Sequence, residues 1–175
     1  MTTTLSAPLA PLDIAARMGR LRARLDGAGV DALLITKLAN VRYLTGFTGS
    51  AARLLVSADT ALFVTDGRYT ERSREELSAA GTDAHIEIGL TASAQRAALV
   101  PVVPPGARAG LEDHSVTWAE QREWVAAFEG VQIVPAGTIV EELRRVKDAG
   151  EVDRIRRACA IADDAFQALL PRLAA

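Results

Sequence analysis

Three neighbouring side chains could hold a small polar ligand: Asp66, Arg68 and Tyr69, in the run Thr65-Asp66-Gly67-Arg68-Tyr69. A guanidinium such as Arg68 grips a carboxylate or a carbonyl oxygen through forked hydrogen bonds. A phenol such as Tyr69 supplies an apolar wall with a polar tip. A local reading stands beside this one: Asp66 caps the next helix, Gly67 makes the turn, and Arg68 pairs with a neighbouring acid. Upstream lies a second stretch, Tyr43-Leu44-Thr45-Gly46-Phe47-Thr48-Gly49-Ser50. Its Gly46, Phe47, Gly49 and Ser50 fit either a tight turn with Phe47 in the core or the flexible rim of a binding site.

Two apolar runs must position these stretches. Arg53–Ser57 and Ala61–Thr65 are short and rich in Leu, Val and Phe, which predicts strands. Ser57-Ala58-Asp59-Thr60 between them has the composition of a hairpin loop. A hairpin sets its two ends side by side. Gly46–Ser50 and Asp66–Tyr69 are therefore expected at one edge of one sheet, giving a rim with free backbone, a carboxylate, a guanidinium and a phenol.

YLTGFTGSAA, a hairpin and TDGRYTE together resemble the amino-terminal domain of the creatinase / aminopeptidase P / prolidase family. A second match is Ile139–Lys147 (IVEELRRVK) with Asp148–Asp163 (DAGEVDRIRRACAIAD). It is similar to the family's segment joining that domain to the first helix of its metallopeptidase domain. Residues 1–12, with neither a basic nor a long apolar segment, read as a disordered leader, and the resemblance implies an α/β domain over 13–146. Residues 147–175 would be a linker and the first helix of a pita-bread catalytic domain. It implies a Xaa-Pro aminopeptidase or dipeptidase, with two divalent ions (manganese, cobalt or zinc) held by Asp, His and Glu ligands of that catalytic domain. This chain would then supply substrate gating and subunit contacts, with proline-containing peptides as substrates and a homodimer as the assembly. The rim would face an active-site mouth. Two alternatives are a non-catalytic peptide- or protein-binding module and the amino-terminal domain of a creatine-type amidinohydrolase.

The remaining residues narrow the chemistry. Dinucleotide binding needs glycines between a strand and the following helix. Gly27 and Gly29 follow a helix, and Gly46 and Gly49 precede a strand. There is no HExxH, no GxSxG and no complete catalytic set. His85 falls on the polar side of an alternating strand, and Glu112-Asp113-His114 reads as a short acidic loop, so neither is assigned a metal. Cys159, the single cysteine, sits on the apolar stripe of a helix and is expected to be buried; it permits no internal disulfide and suits a reducing, cytoplasmic setting. Twenty basic and twenty-two acidic residues are mixed along the chain, which speaks against nucleic acid. No apolar run has membrane-spanning length.

Elements follow from periodicity. Ile14, Met18, Leu21 and Leu25 make one stripe of a helix over Asp13–Ala28, with Arg17, Arg20, Arg22 and Arg24 mostly off it. Ala32–Thr36 is a continuous apolar strand, Leu38–Tyr43 a short helix and Arg68–Ala80 a longer one. Asp83–Ile88 alternates as a half-exposed strand. Arg108–Leu111 and Val131–Val134 are further strands, and Thr91–Val100, Thr117–Phe128 and Thr138–Val146 further helices. The fold expected is a three-layer α/β/α sandwich with a mixed sheet, followed by a long one-sided helix capped by Asp148 and Glu151.

Overall fold

A computed structural model describes residues 8–173. Of the expected leader, residues 1–7 lie outside the described residues. The chain divides into two compact units, one of residues 14–145 and one that joins residues 8–13 to 146–173.

The larger unit is the α/β sandwich. Its elements are α1 (Ile14–Leu25), β1 (Ala32–Ile35), α2 (Leu38–Thr45), β2 (Ala52–Ser57), β3 (Ala61–Thr65), α3 (Thr70–Ala79) and β4 (His85–Ile88). They are followed by α4 (Ala92–Leu99), β5 (Arg108–Leu111), α5 (Trp118–Ala127), β6 (Gln132–Pro135) and α6 (Ile139–Arg145). The six strands order as β4-β3-β2-β1-β5-β6. Only β2 is antiparallel to its neighbours. One edge of the sheet therefore gathers the carboxyl ends of the other five strands and the amino end of β2.

Alternation along the central strands builds two cores. Leu33, Ile35, Leu54, Val56 and Phe63 face α1, α2, α3 and α6. Leu34, Leu55, Leu62 and Val64 face α4 and α5 through Leu99, Trp124 and Phe128. The side chains of β1 are buried on both faces, as a central strand of continuous apolar residues demands. Strand β4 lies at an edge, and His85 and Glu87 point out of it within 3.1 Å of each other. Charge at such a position blunts a pairing-competent edge.

Two local expectations change. Arg17, placed mostly off the apolar stripe, is buried; its Nη1 donates to the Tyr43 carbonyl at 2.9 Å and its guanidinium lies 4.2 Å from the Tyr43 ring centre. A cation near the last turn of α2 is favoured by the helix dipole and the aromatic face. The helix expected from Arg68 begins as a 3-10 turn, Gly67–Tyr69, and becomes α-helical at Thr70.

In the smaller unit, α7 (Ala149–Leu173) is a 25-residue helix. Its start is a reciprocal cap: Asp148 N donates to Glu151 Oε2 at 3.1 Å, and Glu151 N donates to Asp148 Oδ1 at 2.8 Å. Residues 8–13 have no helix or strand; Ala10 N donates to Asp153 Oδ2, and Ala10 O accepts from Arg154. Ile155, Phe166 and Leu169 are each about half exposed, at 51%, 56% and 49%. Cys159, expected to be buried, is exposed with them, because the stripe that carries it is uncovered.

Candidate functional site

The hairpin places the rim. Ala52 pairs with Thr65, so the chain before β2 and the chain after β3 meet at one edge of the sheet. Thr65 Oγ1 adds a bond to the Ala51 carbonyl at 2.5 Å.

Gly46 ends α2 in the left-handed region at φ 77°, and its N–H bonds the Arg42 carbonyl. That conformation favours glycine because it has no Cβ. Phe47 turns inward and is 1% exposed, with its ring edge-on to Phe63 at 4.9 Å and to Tyr69 at 5.4 Å. Gly49 passes so close to these rings that a Cβ would overlap Phe47 Cζ and lie 2.7 Å from Phe47 Cε1 and 2.9 Å from Tyr69 Cε1. Ser50 meets Tyr69: the hydroxyls are 2.7 Å apart and the Ser50 amide donates to the phenol oxygen at 3.2 Å. These bonds hold the Tyr69 phenol below its ordinary pKa. Thr48, between the glycines, is tied to α3 through Glu76, which accepts from its amide at 2.8 Å and its hydroxyl at 2.6 Å.

Asp66 caps the 3-10 turn by accepting from Arg68 N at 3.0 Å, and it also takes Arg68 Nε and Nη2, the latter at 2.8 Å. The side-chain bond from Arg68 lowers the Asp66 pKa, and the same bond raises that of Arg68. The structure thus contains the local reading of this trio. It leaves the ligand reading room as well. The Arg68 side chain is 67% exposed, and its Nη1 has no hydrogen bond among the described residues. Its guanidinium also lies 5.3 Å from the Tyr69 ring centre.

Behind the rim, a cleft of about 550 Å³ opens between the hairpin and the amino-terminal turns of α4 and α5, with Ser50 and Asp66 in its wall. The same sheet edge carries Glu112, just past β5, which is buried at 4% exposure. Glu112 Oε2 accepts from Thr36 N at 2.7 Å and Lys37 N at 2.8 Å, and Oε1 accepts from Asn40 Nδ2 at 2.6 Å. Helix α2 has no side-chain cap of its own. Glu112 provides one from across the sheet, and a carboxylate there also suits the helix dipole. So α2 is anchored at its start by Glu112 and at its end by Arg17, and its last residue delivers the chain into Gly46–Ser50.

Residues 17–146 match the family model of the creatinase/prolidase N-terminal domain. The chain belongs to that family. An uncharacterized peptidase of Bacillus subtilis, YqhT, is 34% identical over 154 residues, which are 88% of this chain and 42% of that protein. The Xaa-Pro dipeptidase of Bacillus anthracis superposes with a TM-score of 0.78 at 29% identity, over 89% of this chain and 42% of that one. The separately solved N-terminal domain of the cytoplasmic peptidase PepQ from Mycobacterium tuberculosis matches at 34% identity with a TM-score of 0.65, covering 74% of this chain and 99% of that domain. The chain thus spans less than half the length of the two whole peptidases.

Within this creatinase/prolidase-type domain, Phe47, Gly49, Ser50, Asp66, Arg68 and Tyr69 come together at one sheet edge; Gly46, expected with them, lies apart at the end of α2, beside Ile14 and Ala80. Phe47 and Gly49 are packed inside the rim, while Ser50, Asp66, Arg68 and Tyr69 line it. Glu112, Asp113 and His114 do not converge. Asp113 accepts from Gly137 N at 2.6 Å, and His114 is exposed. Glu112, read from sequence as part of an acidic loop, is the buried cap of α2; nothing next to it in the chain signals this. Arg53 in the cleft was within reach of the sequence, since it falls on the same side of its strand as the inward-facing Leu55. Among the described residues, no group of three or more His, Cys, Asp or Glu side chains is arranged to hold a metal ion.

Proposed function

We propose that this chain is the non-catalytic amino-terminal domain of a Xaa-Pro peptidase, a hydrolase of the bond before proline in short peptides. Family membership carries the reading, together with the likeness to a Xaa-Pro dipeptidase that is 29% identical over 89% of this chain. The chain's own residues do not fit the pair of divalent ions that such a hydrolase needs, because the described part has no cluster of suitable ligands. The metal site, with manganese, cobalt or zinc, is assigned to a catalytic domain joined to this one. The rim of Ser50, Asp66, Arg68 and Tyr69 then borders the mouth through which peptides pass. Its role is gating and size selection, and the domain also makes subunit contacts in a homodimer. A cytoplasmic location agrees with the description of PepQ and with a single cysteine.

The test is to assay Xaa-Pro dipeptides and tripeptides with manganese, using the 175-residue chain and the same domain joined to its catalytic domain. The chain alone is expected to be inactive and the joined protein active. In the joined protein, Arg68→Ala is expected to lower kcat/KM by about ten- to a hundredfold, the effect of losing a charged hydrogen bond to substrate. Removing its exposed pair with Asp66 should change stability by only about 0–1 kcal/mol. Unchanged kinetics with a large drop in Tm would make Arg68 structural. A joined protein that binds proline peptides without cleaving them would instead identify a binding module.

A further inference from the structure

Arg53 is a charge on an inward position of a central strand. It shares the face of Leu55, beneath α4 and α5, and its guanidinium lies 5.8 Å from the Trp124 ring centre. Its Nη1 donates to Gln95 Oε1. Gln95 is itself buried, and its Nε2 donates to the Gly89 carbonyl at 2.9 Å, which turns its oxygen toward the arginine. The guanidinium is therefore held in place by a locked amide and an indole face. Yet among the described residues it forms no ion pair. None of its nitrogens is a buried atom lacking a partner, so the donors that protein does not satisfy open into the cleft. Burial, and then the neighbouring Arg96, lower its pKa. A half-buried cation without a counter-ion is costly to keep.

The acids of the same cleft, Glu120 and Glu123, act on it only from a distance. Glu123 is paired with Arg96 at 2.8 Å. Glu120 is fixed in the capping box of α5, where its Oε2 accepts from Thr117 N and Thr117 Oγ1, both at 2.8 Å. Its Oε1 has no partner among the described residues, and its charge acts on Arg53 without reaching contact distance. Asp66 is taken by Arg68. What remains is one guanidinium and one carboxylate oxygen, not in contact with each other, in the wall of a cleft of about 550 Å³ that also includes Leu38, Leu90 and Trp124. That volume falls in the range of small-molecule sites, and the mix of apolar wall with a few fixed polar groups is typical of them.

We propose that this cleft binds a small zwitterion of the α-amino acid class, its carboxylate on Arg53 and its ammonium toward Glu120 Oε1. A forked guanidinium suits a carboxylate, and a carboxylate held back by its own cap suits an ammonium. An apolar side chain on the ligand packs against Trp124 and Leu90. The proposal does not rest on the peptidase reading, because every group it uses belongs to this chain.

The test is nitrogen–proton NMR titration of the 175-residue chain, following the Trp124 indole and the amides of Ala51–Arg53. The probes are L-leucine, N-acetyl-L-leucine, which lacks the ammonium, and L-leucinamide, which lacks the carboxylate. Saturable shifts with L-leucine are expected, with each analogue weaker by about tenfold or more, the usual effect of one lost charged hydrogen bond. Arg53→Gln should weaken L-leucine by a similar factor and Arg53→Lys by less. Glu120→Gln should abolish the preference for L-leucine over its acetylated form. Melting curves accompany each variant; if Arg53→Gln fails to fold, Arg53→Lys and the two analogues decide. The proposal is overturned if L-leucine gives no saturable shift, if the amide binds as well as the amino acid, or if folded Arg53 variants bind like the parent chain.

Discussion

Gly49→Ala isolates the packing that builds the rim. The new Cβ would overlap Phe47 Cζ, its nearest neighbour, and sit 2.7 Å from Phe47 Cε1 and 2.9 Å from Tyr69 Cε1, all well inside ordinary contact. Neither ring has an easy retreat. Phe47 is 1% exposed and wedged edge-on between Phe63 and Tyr69, and Tyr69 is tied to Ser50. Overpacking of this kind costs about 1–3 kcal/mol. For a chain of this size that is a fall in Tm of about 2–12 °C. The assay is thermal and urea unfolding of Gly49→Ala, Phe47→Leu and the double variant. If the clash is with the Phe47 ring, the smaller leucine relieves it, and the double variant should be more stable than the sum of the singles by about 1 kcal/mol. Gly19→Ala is the control. It lies inside α1 with nothing within 4 Å of the place its methyl group would occupy, so it should stabilise by about 0.5–1 kcal/mol. A Gly49→Ala chain as stable as the parent, or strict additivity with Phe47→Leu, would refute this account of the rim.

Two other predictions concern the supports of the rim. Glu112→Gln keeps the shape but replaces one acceptor oxygen with a donor, so it cannot serve both Asn40 Nδ2 and the amides of Thr36 and Lys37; a loss of about 2–4 kcal/mol is expected in urea unfolding, with faster hydrogen exchange at those two amides. Glu76 is held below its ordinary pKa: burial raises it, but the bonds from Thr48 and Arg72 outweigh burial. A depressed folded pKa gives stability that is full above the unfolded value of about 4.3 and is lost as pH falls through the folded one. Tm should therefore fall on acidification below about pH 4, and less steeply in Glu76→Gln; equal slopes for the two proteins would contradict the assignment.

The two strands of the hairpin and the positions of its ends were legible in the sequence because they are local: a four-residue loop of Ser, Ala, Asp and Thr fixes the register, and register fixes which residues meet at the edge. The capping boxes at Thr117 and Asp148 were legible for the same reason, since donor and acceptor are three residues apart. The anchors of α2 were not. Glu112 reaches Asn40 across 72 residues, and Arg17 reaches Tyr43 across 26, so no window on the sequence contains both partners. Arg17 shows the further limit of periodicity: a long side chain off the stripe can still be buried when a carbonyl and a ring receive its head group. The cleft combines both cases. Arg53 announces itself as the one charge in an apolar strand, but Gln95, Glu120 and Trp124 are brought to it only by the packing of α4 and α5.

The long-range cap of α2 has a consequence for how the chain is made. An eight-residue helix is marginal by itself, and this one waits for a carboxylate 75 residues downstream of Lys37. At a synthesis rate of about 5–20 residues per second, Glu112 leaves the ribosome about 4–15 s after the helix start it will hold. Until β5 docks beside β1, the segment leading to Gly46–Ser50 has no fixed beginning, and the interval exposes the apolar β1 run to wrong partners. Nascent chains arrested before Glu112 should show α2 unprotected in hydrogen exchange, and chains arrested after β5 has emerged should show it protected. The rim is encoded early in the sequence and assembled late.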